Sequence, residues 1–182
     1  GLFSGYVGGG SDAPAPGEDG FWRTGDLGRI DAEGYLWIEG RRQDTFKLST
    51  GRWVSPFEIE RLLATVPGVE AAIVIGEGRK FPVGLLAWKG SLGVAGQPLE
   101  SFREDLSRHV ERCLSGVVPH QRPVGLLLIP PLDFAAGHLT TNLKLRRKAV
   151  VSSFADRIDR FYSTIGGADG SGHARTLRIE LA

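Results

Sequence analysis

Two apolar runs, Val69–Ile75 and Pro82–Trp88, stand on either side of the polar stretch Gly76-Glu77-Gly78-Arg79-Lys80. Each run has the length of a strand, and the stretch between them is rich in turn formers. They predict a buried antiparallel pair. Val124–Ile129 adds a third core strand, stopped by Pro130-Pro131. Helical spacing supplies the cover. Pro56 suits the first turn of a helix, where its missing N–H costs nothing. Ser55 and Glu58 have the spacing of a capping box, Ile59, Leu62, Leu63 and Val66 share one helical face, and Gly68 follows as a terminator. Residues 97–114 repeat the pattern through Leu99, Phe102, Leu106 and Val110, and residues 144–162 through Leu145, Ala149, Phe154, Ile158 and Phe161. The order after residue 45 is ββαββαβ, then a loop and a helix, without regular βαβ crossovers. The expected fold is α+β: a small mixed sheet with covering helices.

Upstream of this lies different material. Leu27, Ile30, Tyr35, Trp37 and Ile38, with a turn at Asp31-Ala32-Glu33-Gly34, predict a β-hairpin over residues 26–40. A polar joint follows at Arg41–Asp44. A second short hairpin is expected from Thr45–Leu48 and Arg52–Ser55, turning at Ser49-Thr50-Gly51. Residues 1–20 are rich in Gly, Ala, Pro and Asp and read as a flexible lead-in; the Gly-rich residues 165–175 open a flexible tail, 165–182.

Composition narrows the function. A net charge of +1 gives no electrostatic footprint for nucleic acid or an anionic membrane. The single cysteine, Cys113, rules out an internal disulfide and suits a reducing, cytoplasmic setting. Its place at a helix end suggests a buried structural thiol. No apolar run approaches the ~20 residues needed to cross a bilayer, and no signal peptide opens the chain. The sequence contains no methionine, so Gly1 is not expected to be a natural start. His109, His120, His138 and His173 lack metal-ligand spacing with Cys113 or the acids, and no metal site is expected. Neither a Gly-x-Ser-x-Gly elbow nor a dinucleotide-binding glycine pattern is present.

Three side chains could carry chemistry. Asp26 closes a Gly-Asp turn, where a carboxylate could accept two hydrogen bonds from a ribose diol; turn-forming alone would equally explain it. Arg41 ends the second strand of the hairpin, and its guanidinium suits bidentate contact with phosphate or hydroxyl oxygens; a solvated strand-end arginine is the plain alternative. Lys144 opens the basic run Lys144-Leu145-Arg146-Arg147-Lys148. Its ammonium is a compact charge on a flexible stem, though composition alone would make it one surface lysine among several.

Two blocks of wording change that balance. The first is Gly20-Phe21-Trp22-Arg23-Thr24-Gly25-Asp26-Leu27-Gly28, continuing through Tyr35-Leu36-Trp37-Ile38-Glu39-Gly40-Arg41-Arg42-Gln43-Asp44; the second is Leu139-Thr140-Thr141-Asn142-Leu143-Lys144-Leu145-Arg146-Arg147. Together they resemble the C-terminal part of adenylate-forming enzymes, the group of acyl-CoA synthetases, peptide-synthetase adenylation domains and luciferases. The loop Phe46-Lys47-Leu48-Ser49-Thr50-Gly51 is most similar to the long-chain fatty acyl-CoA synthetase branch. One departure stands out: most relatives carry Gly before the lysine, and this chain carries Leu143.

The resemblance implies roles residue by residue. Asp26 and Arg41 would bind the nucleotide ribose, Asp44 would be the hinge between a large N-terminal and a small C-terminal domain, and Lys144 would be catalytic. Lys47, Ser49, Thr50 and Gly51 would line the CoA pantetheine channel. It further implies ATP (giving AMP), Mg²⁺ and CoA, with most of each site supplied by an N-terminal domain. Residues 1–44 would then be the tail end of that domain with the hinge, 45–164 the small domain and 165–182 the tail. The parent would activate a fatty acid to acyl-AMP and transfer it to CoA, in the cytoplasm or peripherally at a membrane, and the fragment alone would be inactive. Two rivals remain at this point: a ligase that loads a carrier protein instead of CoA, and a stand-alone binding domain without catalysis.

Overall fold

The computed structural model describes residues 17–89, 98–166 and 177–181. The chain divides into two compact units, Gly1–Gln43 and Asp44–Ala182. The expected flexible lead-in as far as residue 16, and the Gly-rich stretch from 167 to 176, lie outside the described residues.

In the first unit β1 (Asp26–Ile30) pairs antiparallel with β2 (Leu36–Arg41). Asp31 builds the turn. Its carboxylate accepts the indole N–H of Trp37 and the backbone N–H groups of Tyr35 and Glu33. These donors, the indole first, hold the Asp31 carboxyl below its ordinary range. Gly34 takes the left-handed backbone of the turn at φ 88°. The large apolar side chains Ile30, Leu36 and Ile38 are exposed.

A 3₁₀ turn, Arg42–Asp44, follows. The second unit opens with β3 (Phe46–Lys47) paired to β4 (Trp53–Val54), then α1 (Pro56–Leu63). Its main sheet has four strands in the order β5 (Val69–Ile75), β6 (Val83–Trp88), β7 (Gly125–Ile129), β8 (Arg178–Leu181). β5 and β6 are antiparallel, as the two apolar runs predict; β6 with β7 and β7 with β8 are parallel, so the sheet is mixed. The period of two along the strands sorts the core. Leu86, Leu126 and Leu128 pack with α1 and with α2 (Leu99–Cys113), through Ile59, Leu63, Phe102, Leu106 and Val110. Leu85, Leu127 and Ile129 pack with α3 (Arg147–Ser153) and α4 (Ala155–Gly166), through Val150, Ile158, Phe161 and Ile165. The fold is thus α+β, a small mixed sheet covered by helices.

Four local expectations change. Ser55 makes no side-chain cap bond; Glu58 pairs instead with Arg61 one turn on, and that bond holds its carboxyl below the ordinary range. Leu99 of the predicted α2 face stays exposed. The predicted helix from 144 is two helices, beginning only at Arg147 and broken at Phe154. Lys144–Arg146 are held out of it by backbone bonds to residues 138–140. Arg178–Leu181, read as flexible tail, form β8, because β7 leaves a free edge that these residues pair with in parallel register.

Candidate functional site

The first unit brings two predicted residues together. Asp26 and Arg41 are register partners across β1 and β2, with Arg41 Nε 3.2 Å from Asp26 Oδ1. Gly25 turns at φ 78°, and its carbonyl accepts the Arg42 N–H. The Thr24 hydroxyl accepts the Asp26 N–H. An open concavity of about 360 Å³ is lined by Thr24, Gly25, Arg41, Arg42 and Gln43. Both charged side chains reach solvent, so their pairing adds at most about 1 kcal/mol of stability. It leaves carboxylate lone pairs and guanidinium N–H groups directed by the hairpin and open to a hydroxyl-bearing ligand.

Asp44 is half-buried at the head of the second unit. The loop after it is anchored from below by buried Phe46 and Leu48, while Lys47, Ser49, Thr50 and Gly51 are exposed. Gly51 supplies φ 85°, and its N–H bonds the Leu48 carbonyl. Two backbone bonds tie this loop to the β5–β6 turn: Ser49 N–H to Arg79 O and Gly78 N–H to Lys47 O, at 2.9 and 3.0 Å. That turn is itself held by α4. Arg79 pairs with Asp159 and lies over the Tyr162 ring, 4.7 Å from its centroid. The Tyr162 hydroxyl stands 3.2 Å from the carbonyl oxygens of both Ile75 and Phe81, and burial pushes its ionisation up, so it remains a donor.

Lys144 sits on a hairpin loop. Thr140 N–H donates to Lys144 O and Leu143 N–H to Thr140 O, while the Thr140 hydroxyl accepts the Lys144 N–H. Leu139 bridges Leu145, and Arg146 N–H donates to His138 O. This is a three-residue loop with a left-handed residue at its end, a position that favours glycine. Leu143 fills it at φ 56°, the sole non-glycine residue with positive φ among the described residues. The departure at Leu143 therefore keeps the glycine-type backbone. Lys144 is exposed beside it.

Buried His138 anchors the hairpin: its Nδ1 accepts the Asp133 N–H and its Nε2 lies 3.1 Å from Ser153 Oγ. At the other foot, Arg147 donates to both carboxylate oxygens of Glu60, at 2.6 and 2.7 Å, and to Val74 O at 3.1 Å. Glu60 also accepts the Val74 N–H at 2.7 Å. Burial pushes the Glu60 carboxyl up, against Arg147 and the Val74 N–H, which favour its charge; nearby Asp44 adds to the upward push. The sequence pattern did not single out Glu60 or Tyr162. The available signal was that Glu60 stands one helical turn from buried Pro56, between Ile59 and Leu63 on the inward face.

Among the described residues no group of three or more His, Cys, Asp or Glu side chains could hold a metal ion, and no helix is long and apolar enough to cross a membrane. Cys113 is partly buried, donates to Val110 O, and has its thiol ionisation pushed up by burial.

Residues 43–166 match the family model of the AMP-binding enzyme C-terminal domain. The long-chain-fatty-acid–CoA ligase FadD15 of Mycobacterium tuberculosis is 29% identical over 178 residues, which take in 89% of this chain and 30% of that ligase. The chloroplastic long-chain-fatty-acid–[acyl-carrier-protein] ligase AEE15 of Arabidopsis thaliana is 29% identical over 163 residues, 80% of this chain and 22% of that enzyme. Among solved structures, the A-PCP didomain of a carboxylic acid reductase from Segniliparus rugosus, in complex with AMP, superimposes with a TM-score of 0.71 at 22% identity, covering 83% of this chain and 22% of that one. The chain thus spans less than a third of the length of these relatives.

Proposed function

The chain belongs to the AMP-binding enzyme C-terminal domain family, and we propose that it is the C-terminal portion of a fatty acid–CoA ligase. The observation that carries this reading is the pairing of two exposed loops on one compact unit. Lys144 rides on a hairpin and Lys47–Gly51 on a glycine turn, and Asp44 begins the unit that holds both. In this reading a larger N-terminal domain supplies the acid pocket and most of the ATP site.

The first step joins a carboxylate oxygen of the acid to the α-phosphorus of ATP and releases pyrophosphate. Lys144 meets the negative charge that gathers between the two reactants. A cation ~4 Å from that charge is worth about 4 kcal/mol at an effective dielectric near 20, enough for a rate effect of roughly 10²–10³. Asp26 and Arg41 hold the ribose. In this reading Mg²⁺ enters with the ATP phosphates. In the second step the unit turns at Asp44, Lys144 withdraws, and the Lys47–Gly51 loop lines the path of the CoA arm. The CoA sulfur, its proton given up to solvent, attacks the acyl carbonyl, and AMP leaves. A glycine at position 51 lets the backbone approach a narrow arm closely.

The likeness to an acyl-carrier-protein ligase supports a second reading, in which the acceptor thiol belongs to a carrier protein. One experiment separates the two. The intact enzyme is supplied with ATP, Mg²⁺, palmitate and CoA, and products are read by mass spectrometry. Palmitoyl-CoA with AMP is the expected result. Acyl-AMP that accumulates without thioester would move the protein to the carrier-loading class, and no turnover would remove the fatty acid assignment.

A further inference from the structure

The side chains of Glu60 and Arg147 do more than neutralise each other. Val74 lies on β5, an edge strand of the main sheet, where among the described residues no neighbouring strand serves the outer backbone groups. Glu60 from α1 accepts its N–H and Arg147 from α3 donates to its C=O, while the guanidinium grips the carboxylate through both oxygens. The pair thereby stands in for a missing strand at one residue. Both side chains are largely withdrawn from solvent, at 16% and 26% exposure, and the guanidinium forks between two partners, Nη1 donating to the Val74 carbonyl and Nη2 to both Glu60 oxygens, so the charged bond also fixes direction. Arg147 is also the first residue of α3, three positions beyond Lys144 and directly after the arm that bonds His138.

We propose that Glu60 and Arg147 are a positioning pair that fixes the foot of the Lys144 hairpin to the edge of β5, and so sets where the lysine ammonium stands during adenylation. This rests on the reading of Lys144 as the adenylating lysine. Two planar groups and a backbone peptide leave the foot little freedom to shift. A displacement of about 1 Å in a reacting group can cost about 10²-fold in rate. The pair touches no substrate, and its effect passes through Lys144 alone. The Lys47–Gly51 loop has its own backbone anchors at Gly78 and Arg79, beyond the end of β5, so thioester formation is expected to depend on the pair far less than adenylation does.

The test uses the intact enzyme with Arg147→Met, Arg147→Lys and Glu60→Gln, and Lys144→Ala as reference, each assayed in both half-reactions. Arg147→Met is expected to lower kcat for ATP–pyrophosphate exchange about 10²-fold while KM for ATP and CoA transfer from supplied acyl-AMP stay close to the parent. Arg147→Lys keeps the charge without the fork and recovers only part of the loss. Amide exchange at Thr140, Leu143 and Arg146 should quicken in all three pair variants. Should Arg147→Met fail to fold, the other two carry the same comparison. Equal loss in both half-reactions, or unchanged exchange at the hairpin amides, overturns the proposal. If Lys144→Ala abolishes adenylation and the pair variants leave it intact, the pair alone falls. If Lys144→Ala spares adenylation, the functional reading falls with it.

Discussion

Leu143 holds a left-handed backbone that costs an L-residue with a β-carbon roughly 1–2 kcal/mol. At 74% exposure its side chain returns little by burial. Leu143→Gly is therefore expected to stabilise the chain by about 1 kcal/mol after the added freedom of the unfolded glycine is counted, raising Tm by about 2–4 °C. A melting curve with an equal or lower Tm would show that the loop is not strained there. Lys144→Ala in the intact enzyme should block acyl-AMP formation and spare transfer from supplied acyl-AMP; equal losses in the two assays would remove the catalytic role proposed for it. At this scale the sequence was readable where a turn is written in a short word, as at Gly25-Asp26. It was not readable for Glu60 with Arg147, which are 87 residues apart and meet only because α1 and α3 approach the same strand edge. Ser55 and Glu58 had the spacing of a cap, but Arg61 offered the carboxylate a charged partner one turn away, and the cap did not form.

β5 and β6 were legible because each is an unbroken apolar run with turn chemistry between. β8 was not. Its four residues carry too little pattern, and its partner β7 lies about fifty positions upstream, reached by a parallel pairing that no local signal announces. Ile179 and Leu181 pack against the α1–α2 side of the core. Removing residues 177–182 should cost about 2 kcal/mol and speed amide exchange along β7. Unchanged exchange there would mean the strand contributes nothing. The first hairpin offers a pH test. The Asp31 carboxyl is held below its ordinary value of 3.8, so its bonds support the turn above that value. That support is lost as pH falls through the lowered value and the group gives up the charge that strengthens these bonds. The indole N–H resonance of Trp37 should shift across that acid window. A resonance that stays fixed while the chain remains folded would break the link between Asp31 and the turn.

The division at Gln43 and Asp44 has a direct consequence for the whole molecule. A chain of residues 44–182 should fold alone, with the α1–α2 and α3–α4 cores intact; a spectrum without dispersed amide resonances would contradict the two-unit division. The isolated chain of 182 residues should support no ATP–pyrophosphate exchange with any acid, because the acid and phosphate sites belong to the proposed N-terminal domain; measurable exchange would overturn that reading. Both loops hang from the end of β5. Glu60 and Arg147 hold Val74, Tyr162 reaches Ile75, and the turn that follows holds Ser49 and Lys47. Every one of these supports is encoded between Asp44 and Gly166. For chimera building this makes the stretch a self-sufficient graft: a junction placed at the 43/44 boundary would carry both loops together with all their scaffolding, whereas a junction placed inside it would deliver Lys144 without the strand edge to which its hairpin is tied.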